Sequence, residues 1–557
     1  MDGEENNMTD FKNKVVYQIY PKSFKDSNGD GIGDLRGVIE SLDYLADMGV
    51  DYLWLTPFFV SPQKDNGYDI ADYLAIDPHF GTMDDFDALV KAADAKGLKI
   101  MLDMVLCHTS DQHAWFRRAL AGDADYQRYY ILRDGRNKTC ADDPGDPPTN
   151  WQCAFGGSAW QPRLGKWYLH LHDVSQPDLD WTNPTVRDEL AKVVRFWKER
   201  GVAGFRFDVI NLVAKPEVFA DDTRGLGRRL FADGPHIHEY LQELVHSAGI
   251  GDMVTVGEMA STDLENCIHY TRPANHELSM TFSFHHLKVD YKDGDKWALM
   301  PPDMMRLKQL FAAWQTGMAK AGGWNALFWC NHDQPRIVSR LGDDKEYREA
   351  SAKMLAACIH LMRGTPYIYQ GEELGMTNAG YTSIADYRDV ESLNYYRILR
   401  EQGKTEAEAL TILAARSRDN GRTPMQWSAE PYAGFSTREP WIPLAKNHAA
   451  IHVEAAQKDE HSILAFYRRL IQLRHEMPII AEGDIRCIEE DNPDVIAYER
   501  TWQGEQLTVL CNFRPTAVPL RHLSLQDFAD ARKLLGNYPG REECLRPYEV
   551  LALYRRA

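Results

Sequence analysis

The chain has 557 residues, 44% of them hydrophobic and 26% charged, with a formal net charge of -19 at pH 7. That length supports a large core and two to four domains, and the composition is ordinary for a soluble globular protein. The charge argues against nucleic acid and anionic membrane surfaces as partners. Nine scattered cysteines, with no CxxC pair and no Cys/His cluster at zinc spacing, predict a reduced intracellular chain. An acidic, polar N-terminus and no apolar run of spanning length predict a cytoplasmic location.

Val15 to Phe24 reads as a first strand. After it come oxygen donors at alternate positions: Asp26, Asn28, Asp30, the carbonyl of Ile32, and Asp34, with Gly31 sixth in the run. This matches the first nine residues of an EF-hand-like calcium loop, but position twelve is Gly37 instead of a bidentate Glu. The expectation is one structural Ca²⁺ (or Mg²⁺), set against a plain Asp/Gly turn.

Helix and strand then alternate. Leu35, Val38, Ile39, Leu42 and Leu45 form one helical face, Gly49 ends it, and Val50 to Leu55 is a strand. Thr82 caps a second helix before the strand Lys99 to Val105. Asn183 and Pro184 start another, with Val186, Leu190, Val193, Val194 and Trp197 inward and Gly201 as its stop. Strands follow at Ala203 to Phe207, Met253 to Val256, Ser279 to Phe284, Asn325 to Trp329, and Thr365 to Tyr369. Eight buried strands in βα units predict an α/β fold, a closed (β/α)₈ TIM barrel.

Some eighty residues between Val105 and Val186, rich in Gly, Pro, Asp and Trp, are too many for a structureless loop. They predict a small inserted domain after the third strand. Its tryptophans (115, 151, 160 and 167) either stack on sugar or form the insert's own core. Val495 to Thr501 and Gln506 to Phe513 alternate across Gln503-Gly504 and predict a C-terminal antiparallel β domain. The predicted division is a barrel of residues 1–106 and 175–478, an insert of 107–174, and a β-sandwich of 479–557.

Active sites of such barrels lie at the C-terminal ends of the strands. Those ends carry Asp103 with His108, Arg206 with Asp208, Glu258, and His332 with Asp333. Arg206 and Asp208 alone read equally as a structural ion pair, but four sets at four strand exits form a constellation. Paired carboxylates without a phosphate loop suit glycoside hydrolysis with no chemical cofactor. Asp208, held ionised by Arg206, is the expected nucleophile. Glu258, with no adjacent cation in sequence, is the expected acid, and retention asks for carboxyls about 5–5.5 Å apart. Asp333 would stabilise the oxocarbenium-like transition state, and His332 would help it to grip sugar hydroxyls.

The segments Asp103 to His108, Gly204 to Asp208, Gly257-Glu258-Met259 and Asn331 to Gln334 resemble the conserved regions of glycoside hydrolase family 13. The resemblance is to its oligo-1,6-glucosidase-like branch and covers essentially the whole chain. It implies an α-retaining mechanism, with Asp65 and Tyr68 holding and stacking the terminal glucose and with His108 in the sugar site. It also implies a sugar-binding Arg418, with Arg422 structural. One departure is Cys107, where the family usually has Asn; a thiol is a weak hydrogen-bonder.

Within the branch, His285-His286-Leu287-Lys288-Val289-Asp290-Tyr291 and Lys296-Trp297 look like the subgroup that hydrolyses trehalose 6-phosphate. The implied partner is a disaccharide phosphate, with Lys288 first and Lys292 second as phosphate contacts, against the reading that these lysines merely solvate a loop. The alternatives are an oligo-1,6-glucosidase or dextran glucosidase acting on unphosphorylated oligosaccharides, a sucrose isomerase, and a non-catalytic transporter-associated ectodomain. The last would need a membrane anchor.

Overall fold

The computed structural model describes residues 11–140, 143–163 and 165–556. The acidic, polar N-terminal residues Met1 to Asn7 lie outside them. Eight strands form one parallel sheet: β1 (Val16–Ile19), β2 (Tyr52–Leu55), β3 (Lys99–Val105), β4 (Gly204–Asp208), β5 (Val254–Met259), β6 (Met280–Ser283), β7 (Ala326–Leu327) and β8 (Thr365–Tyr369). Their order is β6-β5-β4-β3-β2-β1-β8-β7, and a parallel bridge between Thr281 and Asn325 joins the two ends. The sheet is therefore the predicted barrel. Nearly every strand residue is buried, as expected where helices cover the outside and side chains fill the inside.

Local signals explain the helices. Thr82 makes a full capping box with Asp85, and the Asn183 side chain accepts from the Thr185 amide with Pro184 at the first helical position. The helix expected from Leu35 onward is two, Leu35–Glu40 and Leu42–Met48. Ser41 interrupts it, turning its hydroxyl back on the Gly37 carbonyl at 2.9 Å. The first strand is also shorter than predicted, because Pro21–Ser23 forms a 3₁₀ turn. The strand read at Asn325 to Trp329 pairs with β8 only at Ala326–Leu327, with Asn325 bridging Thr281 on the other side, so Phe328 onward leads the chain towards Asn331 to Asp333 outside the ladder.

Between β3 and β4 lies a three-stranded antiparallel sheet of Leu132–Arg133, Lys166–Leu169 and Trp160–Arg163. Trp151 and Trp160 are buried there against each other and against Phe219 of the segment after β4, so these two rings pack the insert onto that segment. Beyond β8, Val390–Glu401 and Glu406–Arg416 pack as a helix pair on Trp297, Tyr381 and Ile442. The chain ends in a five-stranded antiparallel sheet whose hairpin Val495–Trp502 and Glu505–Asn512 turns at Gln503-Gly504, both at positive φ.

Candidate active site

Register builds the centre. Asp103 and Arg206 share a rung of the β3/β4 ladder, and Asp208 lies two residues on, on the same face. Val256 pairs with Arg206, which sets Glu258 two residues above it on β5. All four side chains therefore meet inside the barrel mouth. Arg206, 1% exposed, donates from Nη1 to Asp103 Oδ1 and to Asp208 Oδ1, each at 2.6 Å, and from Nη2 to Glu258 Oε2. The missing cation that sequence reading assigned to Glu258 is thus corrected: the guanidinium fork reaches β5 as well as β4. The Asp208 and Glu258 carboxyls share one guanidinium fork, the first on Nη1 and the second on Nη2.

The chain after Asp208 is bent sharply. Val209 has φ 36°, a left-handed conformation that is costly for a β-branched residue, about 1–3 kcal/mol. Asn211 pins this turn by exchanging two 2.9 Å hydrogen bonds with the Ala260 backbone beyond β5. The turn and the strand bearing Glu258 are therefore one rigid unit.

Burial and neighbours split the two carboxyls. Burial pushes Asp208 up, but Arg206, with His172 and His108, outweighs it and holds the group below its ordinary value. Burial raises Glu258 well above its ordinary value; Arg206 opposes this, and the Asp208 and Asp333 carboxylates add to the rise.

A second cluster sits across the mouth. Arg422, fully buried, donates to the His332 carbonyl at 2.9 Å and to Asp333 Oδ1 at 2.8 Å. Arg418 reaches Asp65 Oδ1 at 2.9 Å, Asp333 Oδ1 at 3.3 Å and Asp389 Oδ1 at 2.5 Å, with Phe155 under its guanidinium at 4.6 Å. Against the burial that would raise them, these arginines hold Asp333 and Asp389 far below the usual carboxylate range. Asp65 goes the other way: burial wins, and its carboxyl is pushed up to about 7. Asp103 is raised for the same reason, with Arg206 opposing.

Tyr68 donates to Asp103 Oδ2 at 2.9 Å and stacks on His332, centroids 5.0 Å apart and planes at 2°. His332 takes Gln18 on Nδ1 at 2.8 Å, and burial pushes it down to about 3, so it is neutral near pH 7. His108 Nε2 lies 3.0 Å from the Tyr68 carbonyl and 3.2 Å from Gln176 Nε2, which also donates to Asp65 at 3.1 Å. Asp65, Tyr68, His108, Arg206, Asp208, Glu258, His332, Asp333 and Arg418 are all drawn into one pocket. Sequence reading missed Asp389, Gln176 and His172, which follow no barrel strand directly. The one local signal was Asp389 as the N-cap of Val390–Glu401, and that signal is structural.

The basic segment after β6 differs from its sequence appearance. His286 sits 2.8 Å from the Phe328 carbonyl, among Phe311, Phe328 and Trp329, and His285 lies on Trp314 with centroids 4.5 Å apart. Burial pushes both to about 4, so neither is a cation near neutrality. Lys296 is neutralised by Glu391 at 2.6 Å. Lys288 and Lys292 are exposed.

In the loop after β1 the metal candidates already hold amides. Asp26 accepts from Asn28, Gly29 and Gly31, Asn28 from Asp30, Asp30 from Ile32, and Asp34 from Ser27 and Gly37. Among the described residues, the gathered group of three potential ligands is His238, His269 and Glu277, elsewhere on the barrel.

The family model for the alpha-amylase catalytic domain matches residues 18–483. A trehalose-6-phosphate hydrolase of Bacillus subtilis (strain 168) is 51% identical, with 98% of each chain covered. One of Escherichia coli (strain K12) is 54% identical over 90% of each. The crystal structure of the Bacillus licheniformis trehalose-6-phosphate hydrolase superposes with a TM-score of 0.92 at 49% identity, covering 98% of this chain and 100% of that one. With its eight-stranded barrel and its carboxyl pair at the strand ends, the chain belongs to the alpha-amylase family of glycoside hydrolases, family 13.

Proposed function

We propose that the chain is a retaining α-glucosidase that hydrolyses trehalose 6-phosphate to glucose and glucose 6-phosphate. The observation that carries the mechanism is the opposite displacement of Asp208 and Glu258 around one guanidinium: one carboxyl kept ionised, the other kept protonated. Asp208 attacks the anomeric carbon as the glycosidic C–O bond breaks, and Glu258 gives its proton to the departing oxygen. Water then adds to the anomeric carbon, losing a proton to Glu258 and releasing Asp208. Asp333, ionised beside Arg418 and Arg422, stabilises the positive charge that develops on the sugar. Asp65, Tyr68, His108, Arg206, His332 and Arg418 hold the glucose, and Lys288, with Lys292 behind it, meets the phosphate.

The substrate reading rests on the relatives' names together with the exposed lysines after β6. Hydrolysis of trehalose 6-phosphate, trehalose and isomaltose side by side tests it. Trehalose 6-phosphate should be fastest; isomaltose in first place would make the chain an oligo-1,6-glucosidase instead.

The same reading includes one Ca²⁺ (or Mg²⁺) taken by Asp26, Asn28, Asp30, the Ile32 carbonyl and Asp34, a set of hard oxygens suited to either ion. Binding would add the cation to carboxylates that now hold backbone amides, so chelation should lower Tm and leave the chemical step alone. Calorimetric titration of chelator-treated protein with Ca²⁺ showing no heat would remove the site. The division into a barrel (1–106, 175–478), an insert (107–174) and a C-terminal sandwich (479–557) is supported by the separate small sheets. Nine free cysteines fit a reducing cytoplasm.

A further inference from the structure

Away from the pocket, three side chains of metal-ligating type meet among the segments outside the barrel. His238 lies on the helix Ile237–Ala248 between β4 and β5, His269 on the helix Leu264–Thr271 between β5 and β6, and Glu277 on the segment that enters β6. His238 Nδ1 sits 2.9 Å from Glu277 Oε2, and His269 Nε2 sits 3.5 Å from Glu277 Oε1. Each carboxyl oxygen therefore faces one ring nitrogen. The two rings stack on each other, centroids 3.7 Å apart and planes at 22°. Three successive segments are thus drawn to one point.

The Glu277 side chain is fully buried. Guanidiniums hold the carboxyls of the sugar pocket, but among the described residues the ion-pair partners of Glu277 are the two imidazoles, with no lysine or arginine. A buried carboxylate is costly without a cation beside it. The surroundings hold the three donors in place. Tyr270, itself buried, packs its ring 4.8 Å from that of His238 and is anchored by donating to Asp233 at 2.6 Å. Gln242, one helical turn after His238, donates to Glu277 Oε1 at 3.4 Å. The His238 and His269 side chains are 28% and 49% exposed, which leaves a way in from solvent.

We propose that His238, His269 and Glu277 form a site for a transition-metal ion, Zn²⁺ above all, that clips the two helices and the entry to β6 together. Zinc takes imidazole nitrogen and carboxylate oxygen tetrahedrally at about 2.0–2.1 Å, so its ligand atoms stand roughly 3.3 Å apart. The two nitrogen–oxygen distances, 2.9 and 3.5 Å, bracket that edge, and one ligand atom from each residue lies within 4.8 Å of the other two. The ion takes the place of the hydrogen between His238 Nδ1 and Glu277, and supplies the positive charge that the buried carboxyl lacks. Water completes the coordination on the exposed side of the rings. Two imidazoles select Zn²⁺, Ni²⁺ or Cu²⁺ over Ca²⁺ and Mg²⁺, which prefer oxygen, so the site differs in kind from the oxygen-rich loop after β1.

The test is calorimetric titration of the chelator-treated chain with Zn²⁺, its exposed Cys140 thiol alkylated beforehand. One equivalent should bind, excess Ca²⁺ should not displace it, and Tm should rise with the Zn²⁺ concentration. H238A and H269A should each weaken uptake by about 100-fold or more and abolish the rise in Tm, while hydrolysis of 4-nitrophenyl α-glucoside stays within about 2-fold of wild type. Should an alanine variant fail to fold, E277Q, which keeps the shape and removes the charge, gives the same reading: lost uptake supports the site and full uptake overturns it. Zn²⁺ bound as tightly by H238A and H269A as by the wild type would lie elsewhere and overturn the proposal. A wild-type chain that takes up no Zn²⁺, or yields it to Ca²⁺, would overturn it as well.

Discussion

At the floor of the pocket, three guanidiniums (Arg206, Arg418 and Arg422) touch seven carboxyls, one of them Glu391, which also pairs with Lys296. At the rim, on the loop after β6, Lys288 is exposed and, among the described residues, has no ion pair. The floor is sorted internally: Asp208, Asp333 and Asp389 are held low, and Asp65, Asp103 and Glu258 are held high, three of each against three arginines. The sugar-facing chemistry is thus set before substrate arrives, whereas the rim acquires its counter-charge from the substrate. Substitutions at the floor should therefore act without regard to the phosphate, and those at the rim only on phosphorylated substrates.

The largest effect expected is at the nucleophile. Asp208→Asn should lower turnover by about 10⁴-fold or more on every glucoside, with the circular dichroism spectrum unchanged. Glu258→Gln should cost about 10²–10⁴-fold on trehalose 6-phosphate but far less on nitrophenyl glucosides, whose leaving group hardly needs a proton. Uniform losses for Glu258→Gln across leaving groups would contradict its role as acid.

The sorting of the floor predicts a bell-shaped pH profile. Asp208 works ionised and its folded pKa is depressed, so the acid limb should fall away only below the ordinary carboxylate range, as pH drops through that lowered value. Glu258 works protonated and its folded pKa is raised, so activity should persist above the ordinary range and disappear as pH rises through the elevated value. Arg206→Lys sharpens the comparison, because one ammonium cannot bond three carboxyls in the geometry of the fork. It should reduce kcat by about 10²-fold and move the acid limb upward by about one unit or more. An unmoved acid limb would mean that Arg206 does not set the ionisation of Asp208.

At the rim, Lys288→Ala should weaken kcat/KM on trehalose 6-phosphate by about 1.5–3 kcal/mol, the worth of a charged hydrogen bond, while nitrophenyl glucoside hydrolysis stays nearly unaffected. Parallel losses on both substrates would erase the distinction between floor and rim.

The barrel was legible because its strands are short, buried runs flanked by capped helices, and Asp103, Arg206, Asp208 and Glu258 could be read straight from strand exits. Contacts between strands were not legible. Nothing adjacent to Glu258 in sequence announces Arg206, since that bond depends on the β4/β5 register. Asp389 and Gln176 enter the pocket from excursions whose paths no periodicity fixes. At the rim, the run His285-His286-Leu287-Lys288 reads as uniformly basic. Burial neutralises the two imidazoles and leaves only the lysine charged, a distinction that depends on Phe328, Trp314 and their neighbours far along the chain.

The smallest effect expected is at Cys107, where the family's usual Asn is absent. Its buried thiol lies 3.1 Å from Asp178 Oδ1 and 3.7 Å from the Lys215 ammonium, which itself contacts Asp178 at 3.3 Å. Burial, with Asp178 adding to it, pushes the thiol pKa well up despite Lys215, so the group is a neutral donor. The charge balance here is carried by Lys215 and Asp178, and position 107 only supplies a hydrogen bond to the carboxylate. An amide can supply that bond and also offer its oxygen to the ammonium, so Cys107→Asn should change stability by about 1 kcal/mol or less and kcat by less than about 3-fold. Asp178→Asn in the same cluster should instead cost about 3–5 kcal/mol, because it leaves the Lys215 charge buried without its partner. Thermal melts of the two variants decide the matter. A Cys107→Asn loss as large as that of Asp178→Asn would show that the thiol, and not the ion pair, holds this corner of the pocket together.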